Sequence, residues 1–571
     1  MLTKWGKWIA LPLTAVMLLA GCTDKAKPAN NEGQTAENNA GKPATWIADR
    51  TVTGLLFIDS DDVSKDINPD IAKVIKEKTG ITLKLEAVNA SSAVDGMIAG
   101  FASGDLPDFI VSYLDNSARP EMPVLAKAAK EGVLTDLTPL MKNTEVYKNY
   151  LEDDYLPLDT KYGIMFRPEF NGSSYFIHMR IAKGEPHDGL KFFGGPFIRK
   201  DIADALGIDP RTITTTEQVY ELAQKIKAGN FKDANGKAVI PVGPQYWGNG
   251  NHEVGTLFRD VTWGKVDQKF YKDKDGKIIH ESQTDYMMKR IELVQKMLGE
   301  KLMAPDYYAM EGSKATEGAI NGSFGIISEM HNNLDFNKDM TYLPLGPINY
   351  VDGPFQMTRT YKEGSFIWAI PSTTKKPQEV MDFADFLASR EGKLLWQYGL
   401  EGRDYTLDAK GNPVVKQEVL DLKAKDPEAA KALGFEGAGN NWGQYLGLTD
   451  ANRFDDFGEA EYGLSVMPNL YESQNKIADY WGYDEKKKQE VVVDGYRPLS
   501  FINEFPSGTD LQTALDNYND SMIRAFYAKG MDKAKEIMDS AAKQLKAAGL
   551  EDYEKLLDQK DSDPKTKLIL Q

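Results

Sequence analysis

Apolar residues recur along the chain at two spacings, and each change of spacing marks an element boundary. Thr51–Ile58 (TVTGLLFI) is a continuous apolar run of strand length, the pattern of a buried strand. Asn68-Pro69 reads as a helix start, a capping side chain followed by proline at the first helical position. Ile71, Val74 and Ile75 give that helix its apolar stripe, and Gly80 ends it. Over Ile81–Val88 the period becomes two, with Ile81, Leu83, Leu85 and Ala87 on one face. A second helix is predicted from Ser92, with Val94, Met97, Ile98 and Phe101 inward, and a third strand at Phe109–Val111. Strand and helix alternating at this spacing predict a parallel sheet covered on both faces.

A second α/β region is predicted after Phe170. Arg199–Gly207 reads as a short helix closed by glycine, and Thr214 with Glu217 has capping-box spacing. Val219, Leu222, Ala223 and Ile226 stripe the helix behind it. Asp273–Gly276 (DKDG) reads as a hairpin turn between short strands. Met287, Ile291, Val294 and Leu298 mark another core helix, and Pro377 opens one carrying Val380, Phe383, Ala384 and Leu387. From Asp510 to about Leu557 the pattern is mostly helical, and no internal repeat appears.

The first residues obey neither period. In MLTKWGKWIALPLTAVMLLAGC, Lys4 and Lys7 precede an apolar run from Trp8 to Leu19 that Pro12 interrupts. A bilayer span needs about 20 apolar residues, so this run has the layout of a secretory signal instead. Leu19-Ala20-Gly21-Cys22 resembles the lipobox of bacterial lipoproteins. That resemblance implies a signal peptide over 1–21 and a diacylglyceryl thioether on Cys22, the new N-terminus. Residues 23–45 contain no aromatic and almost nothing apolar, so 22–45 is expected to be a disordered tether. As a coil it would reach about 25 Å on average.

Composition narrows the partners. A chain of 571 residues is long enough for more than one domain. A net charge of −17 argues against nucleic acid and against charge-driven attachment to anionic lipid, leaving the lipid anchor as the only membrane contact. One cysteine excludes an internal disulfide and a thiolate metal site. The histidines (His178, His187, His252, His280, His331) show no metal-binding spacing, and no nucleophile elbow or phosphate loop stands out. No cofactor is expected. The Asp233–Lys237 turn (DANGK) offers too few oxygen ligands for calcium, so no metal is expected either.

Phe101–Ile110 (FASGDLPDFI), following KEKTGITLKLE, resembles extracellular solute-binding protein family 1, in particular its long Gram-positive lipoprotein branch. Four more segments match in the family's order: FIRKDIADALGIDPRTITTTEQVYELAQKIK, IELVQKMLGEKLMAPDYYAM, FIWAIPSTTKKPQEVMDFADFLASREG and YGLEGRDYTLDAKGNPV. The resemblance implies an α/β, two-lobed periplasmic-binding-protein-like fold of type II, with a cleft between lobes and extra C-terminal helices. The first lobe is expected over 46–168 with 358–405, the second over 169–357 with 406–571. It further implies a non-catalytic, monomeric receptor that captures a carbohydrate by hinge closure and delivers it to the permease subunits of an ABC transporter. An exported polysaccharide-cleaving enzyme, or a receptor for a peptide or other non-sugar ligand, remains open from the residues alone.

A sugar ring has an apolar C–H face for flat side chains and a hydroxyl edge for polar ones. Trp247 (QYWGNGN), Trp263 (VTWGK) and Trp442 (GNNWGQY) sit in loop-like contexts and are candidate stacking residues, whereas Trp368 and Trp396 lie in apolar runs suited to a core. The Gly104–Asp108 turn is expected at the carboxyl side of the sheet, with Asp108 or Tyr113 as a rim contact or the turn simply ending a helix. Glu401, Arg403 and Tyr405 sit in GLEGRDY, which resembles a family loop that contacts ligand, against the alternative of a solvated helix exit.

Overall fold

The computed structural model describes residues 42–58, 65–89, 93–114, 121–179, 181, 195–245, 257–259, 269–328, 337, 339–351, 353–360, 364, 366–409, 411–433, 442–446 and 468–570. Thr45–Gln571 forms one compact unit. Its strands in chain order are β1 (Arg50–Ile58), β2 (Ile81–Asn89), β3 (Phe109–Tyr113), β4 (Ile177–Met179), β5 (Phe197–Arg199), β6 (Ile240–Gly243), β7 (Phe270–Lys272) and β8 (Ile278–His280). There follow β9 (Phe324–Ile327), β10 (Tyr342–Pro344), β11 (Thr358–Thr360), β12 (Phe366–Ala369), β13 (Tyr405–Leu407), β14 (Pro413–Val415) and β15 (Val491–Val493).

The first sheet has the order β2-β1-β3-β12-β4. Helix α1 (Pro69–Thr79) connects β1 to β2, and α2 (Ala93–Ser103) precedes β3. Asn68 caps α1 through its side chain and Gly80 closes it in the left-handed region, where a side chain would be strained. β1 pairs in parallel with β2 and β3, as the alternation predicts, but β12 is antiparallel to both β3 and β4. The sheet is therefore mixed. β2 is its edge strand, so Ala87 is exposed, and on α2 Ile98 is 49% exposed rather than inward. The second sheet, β10-β5-β9-β6, is also mixed, with only β6 and β9 parallel. The capping box of the helix Thr216–Ala228 is formed by Thr215 and Gln218, one residue beyond the expected pair.

Two large apolar cores divide the unit. One collects Val52 to Ile181, then Phe366 to Trp396, and finally Trp442 and Leu446. The other collects Phe197 to Met357 and then Ile477 to Leu568, including the C-terminal helices Gly508–Phe526, Met531–Ala547 and Leu550–Asp561. These memberships correct the expected boundaries. β4 completes the first sheet, although the second lobe was expected to begin at 169, and Trp442 packs on the first core, although 406–571 was assigned to the second. The chain thus passes between cores three times, between Ile181 and Phe197, Met357 and Phe366, and Leu446 and Ile477.

Each sheet uses a glycine to seat an aromatic ring from its neighbour. A methyl group at Gly54 in β1 would overlap the ring of Phe109 in β3, and one at Gly243 in β6 would overlap Phe324 in β9. Phe109 in turn stacks on Trp368 of β12 at 4.0 Å and 5°. Gly54→Ala is expected to displace that stack and destabilise the fold by about 1–3 kcal/mol, an overpacking effect. Urea denaturation reads this as a lower midpoint, and an unchanged midpoint would mean that the ring moves aside freely.

Candidate functional site

Strand topology gathers the connections of each sheet at one of its edges. In the first sheet Tyr113, at the end of β3, pairs with Phe366, at the start of β12, and Phe366 pairs with Met179, at the end of β4. One passage to the second core therefore leaves beside the point where another returns. In the second sheet Phe197, opening β5, pairs with Pro344 and Ile327, the last residues of β10 and β9, and Ile327 pairs with Gly243, ending β6. The carboxyl ends of β3, β4, β6, β9 and β10 and the passages thus share the crossover edges of the two sheets. Ligands in α/β folds bind outside such ends, where connections diverge.

The first edge is held by His178, which is buried. Its Nε2 lies 2.7 Å from the carbonyl of Leu114 and its Nδ1 3.2 Å from the Thr160 hydroxyl. A carbonyl only accepts, so Nε2 carries the proton and Nδ1 accepts from Thr160. This ties β4 to the end of β3 across β12, with Gly364 packed against the imidazole. Tyr113 stands half-buried at this edge with its ring edge-on to Phe366 at 5.2 Å. Beneath the passages, β11 pairs with β15, and the backbone N–H of Leu158 donates to Asp494 at 2.9 Å, joining the cores.

On the second core a cation and aromatic rings meet beside the passage that leads into β11. The Arg259 guanidinium lies 5.4 Å from the ring centres of both Tyr350 and Phe355. Those two rings stack at 5.9 Å, and Phe355 meets Trp481 edge-on. Arg259 Nε is buried and has no hydrogen-bond partner. Flat rings beside an unpartnered guanidinium Nε–H suit a ligand with an apolar face and an oxygen acceptor. Sequence reasoning missed this group. NYVDGPFQM has neither helical nor strand period, and its only signal is two aromatics flanking a turn.

The predicted residues fall in several places. Asp108 precedes β3, at the amino edge of the sheet and not the carboxyl side, and its carboxylate is engaged there. It pairs with Arg50 at 2.5 Å and accepts from the backbone N–H and hydroxyl of Thr53 at 2.9 and 3.1 Å. Arg50 also pairs with Glu379 at 3.2 Å, so Asp108 braces β1 and the helix Pro377–Ala388. Arg403 forks onto Asp404 and reaches Asp70 in the first turn of α1, at 2.7 and 3.0 Å. Glu401 is exposed and Tyr405 buried; both line a cavity of about 700 Å³ with Val74 and Lys78 of α1 and with Glu391. That cavity lies along the outer flank of α1 towards its C-terminal end, away from the crossover edge. Trp442 is 1% exposed in the first core, not in an open loop, because Gly443 lets its turn close against Trp396. Cys22, Trp247 and Trp263 lie outside the described residues.

Asp233 closes its own turn. One carboxylate oxygen accepts the N–H groups of Asn235 and Lys237 at 2.9 and 2.8 Å, and the other accepts the Ser323 hydroxyl at 3.0 Å. Desolvation pushes its pKa up, but these bonds outweigh it and hold the carboxyl below the usual range. Its lone pairs are occupied by donors that a cation would have to displace. A chelator is therefore expected to leave the melting temperature unchanged. A large drop that added calcium reverses would locate a metal site in the protein.

The description "bacterial extracellular solute-binding protein" belongs to a family that matches residues 64–394 of this chain. Lipoprotein LipO of Bacillus subtilis (strain 168) is 26% identical over 423 residues, covering 70% of this chain and 74% of its own. Among solved structures, the alginate-binding protein AlgQ2 without calcium ion aligns with a TM-score of 0.63 at 19% identity, over 91% of this chain and 99% of that one. The FusA substrate-binding protein of S. pneumoniae in complex with kestose aligns with a TM-score of 0.63 at 18% identity, over 90% and 100%. Both are two-lobed solute-binding proteins, and the fold of this chain is theirs: α/β, two lobes, and a cleft between them.

Proposed function

The chain belongs to the bacterial extracellular solute-binding proteins, and from that membership we propose that it is a lipid-anchored receptor that captures an oligosaccharide for an ABC importer. The observation that carries the reading is the guanidinium of Arg259 over Tyr350 and Phe355, on chain that runs from the second sheet back towards the crossover edge of the first. Rings stack on sugar faces and the cation bonds hydroxyl or carboxylate oxygens. The sugars named with AlgQ2 and FusA support the ligand class. Ligand bound between the lobes would favour their closed arrangement, and the closed shape is what the permease recognises. Members of this family bind and do not cleave. Trp247 and Trp263 remain proposed stacking residues and Tyr113 a rim residue, whereas the 401–405 loop is proposed as a buttress of α1.

Calorimetry with an oligosaccharide selected from a thermal-shift panel tests the cleft. Trp263→Ala is expected to lose the stacking energy, about 0.5–1.5 kcal/mol. Arg259→Ala should lose a charge-assisted bond worth about 1.5–3 kcal/mol, or roughly tenfold to a hundredfold in affinity. Glu401→Gln should bind as the wild type does. Wild-type affinity in both cleft variants would move the site elsewhere, and release of reducing sugar from a polysaccharide by the wild type would make the protein an enzyme.

Anchoring rests on Cys22. Cys22→Ser removes the thioether position and is expected to shift the protein from the membrane fraction to the medium. Full retention in a detergent-partition assay would sink the anchor.

A further inference from the structure

Asp159–Met165 (DTKYGIM) is π-helical, a wide turn that is rare and frequent at functional sites. It closes with the Phe166 N–H donating to the Lys161 carbonyl at 2.6 Å, five residues back. Residues five apart therefore share a side, Lys161 with Phe166 and Tyr162 with Arg167, and all four line one cavity of about 500 Å³. That volume lies in the range of small-molecule sites, about 300–1,000 Å³. Leu151 and Asp153 add to the wall, and among the described residues every lining residue falls within 150–172. The cavity is thus built by the first lobe alone, apart from Arg259, Tyr350 and Phe355.

The backbone that carries these side chains is held at two points. The Thr160 hydroxyl donates to His178, and the Leu158 N–H donates to Asp494 of the other core. Tyr162 is 38% exposed and offers an open ring beside the half-buried Phe166. Lys161 and Arg167 are buried instead. The Lys161 ammonium lies 5.5 Å from the Tyr162 ring centre. It uses two of its three N–H groups on Asp153, reaching the carbonyl at 2.8 Å and the carboxylate at 3.4 Å. Arg167 donates through Nε to Glu169 and through Nη1 to the Gly163 carbonyl, both at 2.6 Å, which leaves Nη2 open among the described residues. The Asp153 side chain is almost wholly exposed, so its carboxylate keeps acceptor capacity. In charge, Asp153 balances Lys161 and Glu169 balances Arg167.

We propose that the cavity between Tyr162, Phe166 and Arg167 binds one neutral pyranose unit, as a saccharide site separate from the cleft. The rings take the C–H face of the sugar. Its hydroxyl oxygens accept from Arg167 Nη2 and the remaining Lys161 N–H, and a hydroxyl proton goes to the Asp153 carboxylate. A hydroxyl both accepts and donates, which matches a wall that presents donors and an acceptor together. An anion would meet Asp153 and Glu169 with no surplus of positive charge to hold it. An apolar ring would cover Tyr162 but leave the Arg167 and Lys161 donors without acceptors. The assignment does not depend on what the cleft binds.

Crystals of the full chain soaked separately in glucose, galactose and mannose test this. One or more should show a sugar ring against Tyr162, with a hydroxyl at hydrogen-bond distance from Arg167 Nη2. Saturation-transfer NMR then follows the same sugar in solution, with Arg259→Ala as the background so that the cleft contributes little. Adding Tyr162→Ala should weaken binding about threefold to tenfold, the loss of one stacking contact. Adding Tyr162→Phe, which keeps the ring, should leave binding unchanged. Because the cavity sugar is expected to persist in Arg259→Ala, a failure of the cleft reading shows up separately. Water alone in the cavity after all three soaks overturns the proposal, and so does an anion in place of the sugar. Equal binding with and without the Tyr162 ring, or a sugar seen in the crystal with no binding in solution, overturns it as well. Should Tyr162→Ala fail to fold, the soaks of the wild type decide.

Discussion

The antiparallel seating of β12 between β3 and β4 is the constraint on which the rest of the structure depends. β12 is supplied by chain that has already built the second sheet and come back. Trp368 on β12 stacks on Phe109, which fits only because Gly54 has no side chain. Four residues of β12 are buried, so the first core stays open until the return has occurred. The lobes are therefore not two domains in series. The first passage leaves β4 for β5 and the second enters β12, strands that are buried on both faces and so fixed in register.

The opposite edge of the first sheet is clamped by carboxylates rather than rings. Asp108 and Glu379 hold Arg50 from two elements. The Thr374 hydroxyl donates to the Asp108 carbonyl. Asp385, on the same helix as Glu379, accepts three successive N–H groups from Glu145, Val146 and Tyr147. Burial raises its pKa even so. These side chains look like site chemistry when met one at a time. In place they satisfy backbone donors and a guanidinium that would otherwise be left without partners. The same holds for Arg403 and Asp404, which lock the loop after Tyr398 onto α1.

Polar groups thus divide by what surrounds them. Along the amino edge and around 401–405 each finds its acceptor within its own lobe. Arg259 Nε does not, and neither do the three side-chain nitrogens of Arg290. Arg259 is partly exposed beside the passages, whereas Arg290 is sealed inside the second core. Exposure separates a guanidinium available to a solute from one closed off inside its own core.

The sequence by itself determined the local elements. Asn68-Pro69 and Gly80 bounded α1, the stripe Val219, Leu222, Ala223 and Ile226 buried one face of its helix, and DKDG turned a hairpin, because caps, periods and turn chemistry act over a few residues. Motif order was also enough to place the chain in its family. What only the tertiary structure decided involves partners far apart in the chain. The antiparallel β12, the membership of β4 and Trp442 in the first core, the pairing of Asp108 with Arg50, and the stacking of Arg259 on Tyr350 and Phe355 all join distant segments. A local pattern records that a residue wants burial or a counter-charge. It does not record which distant element supplies it, because that choice is made by packing the whole chain at once.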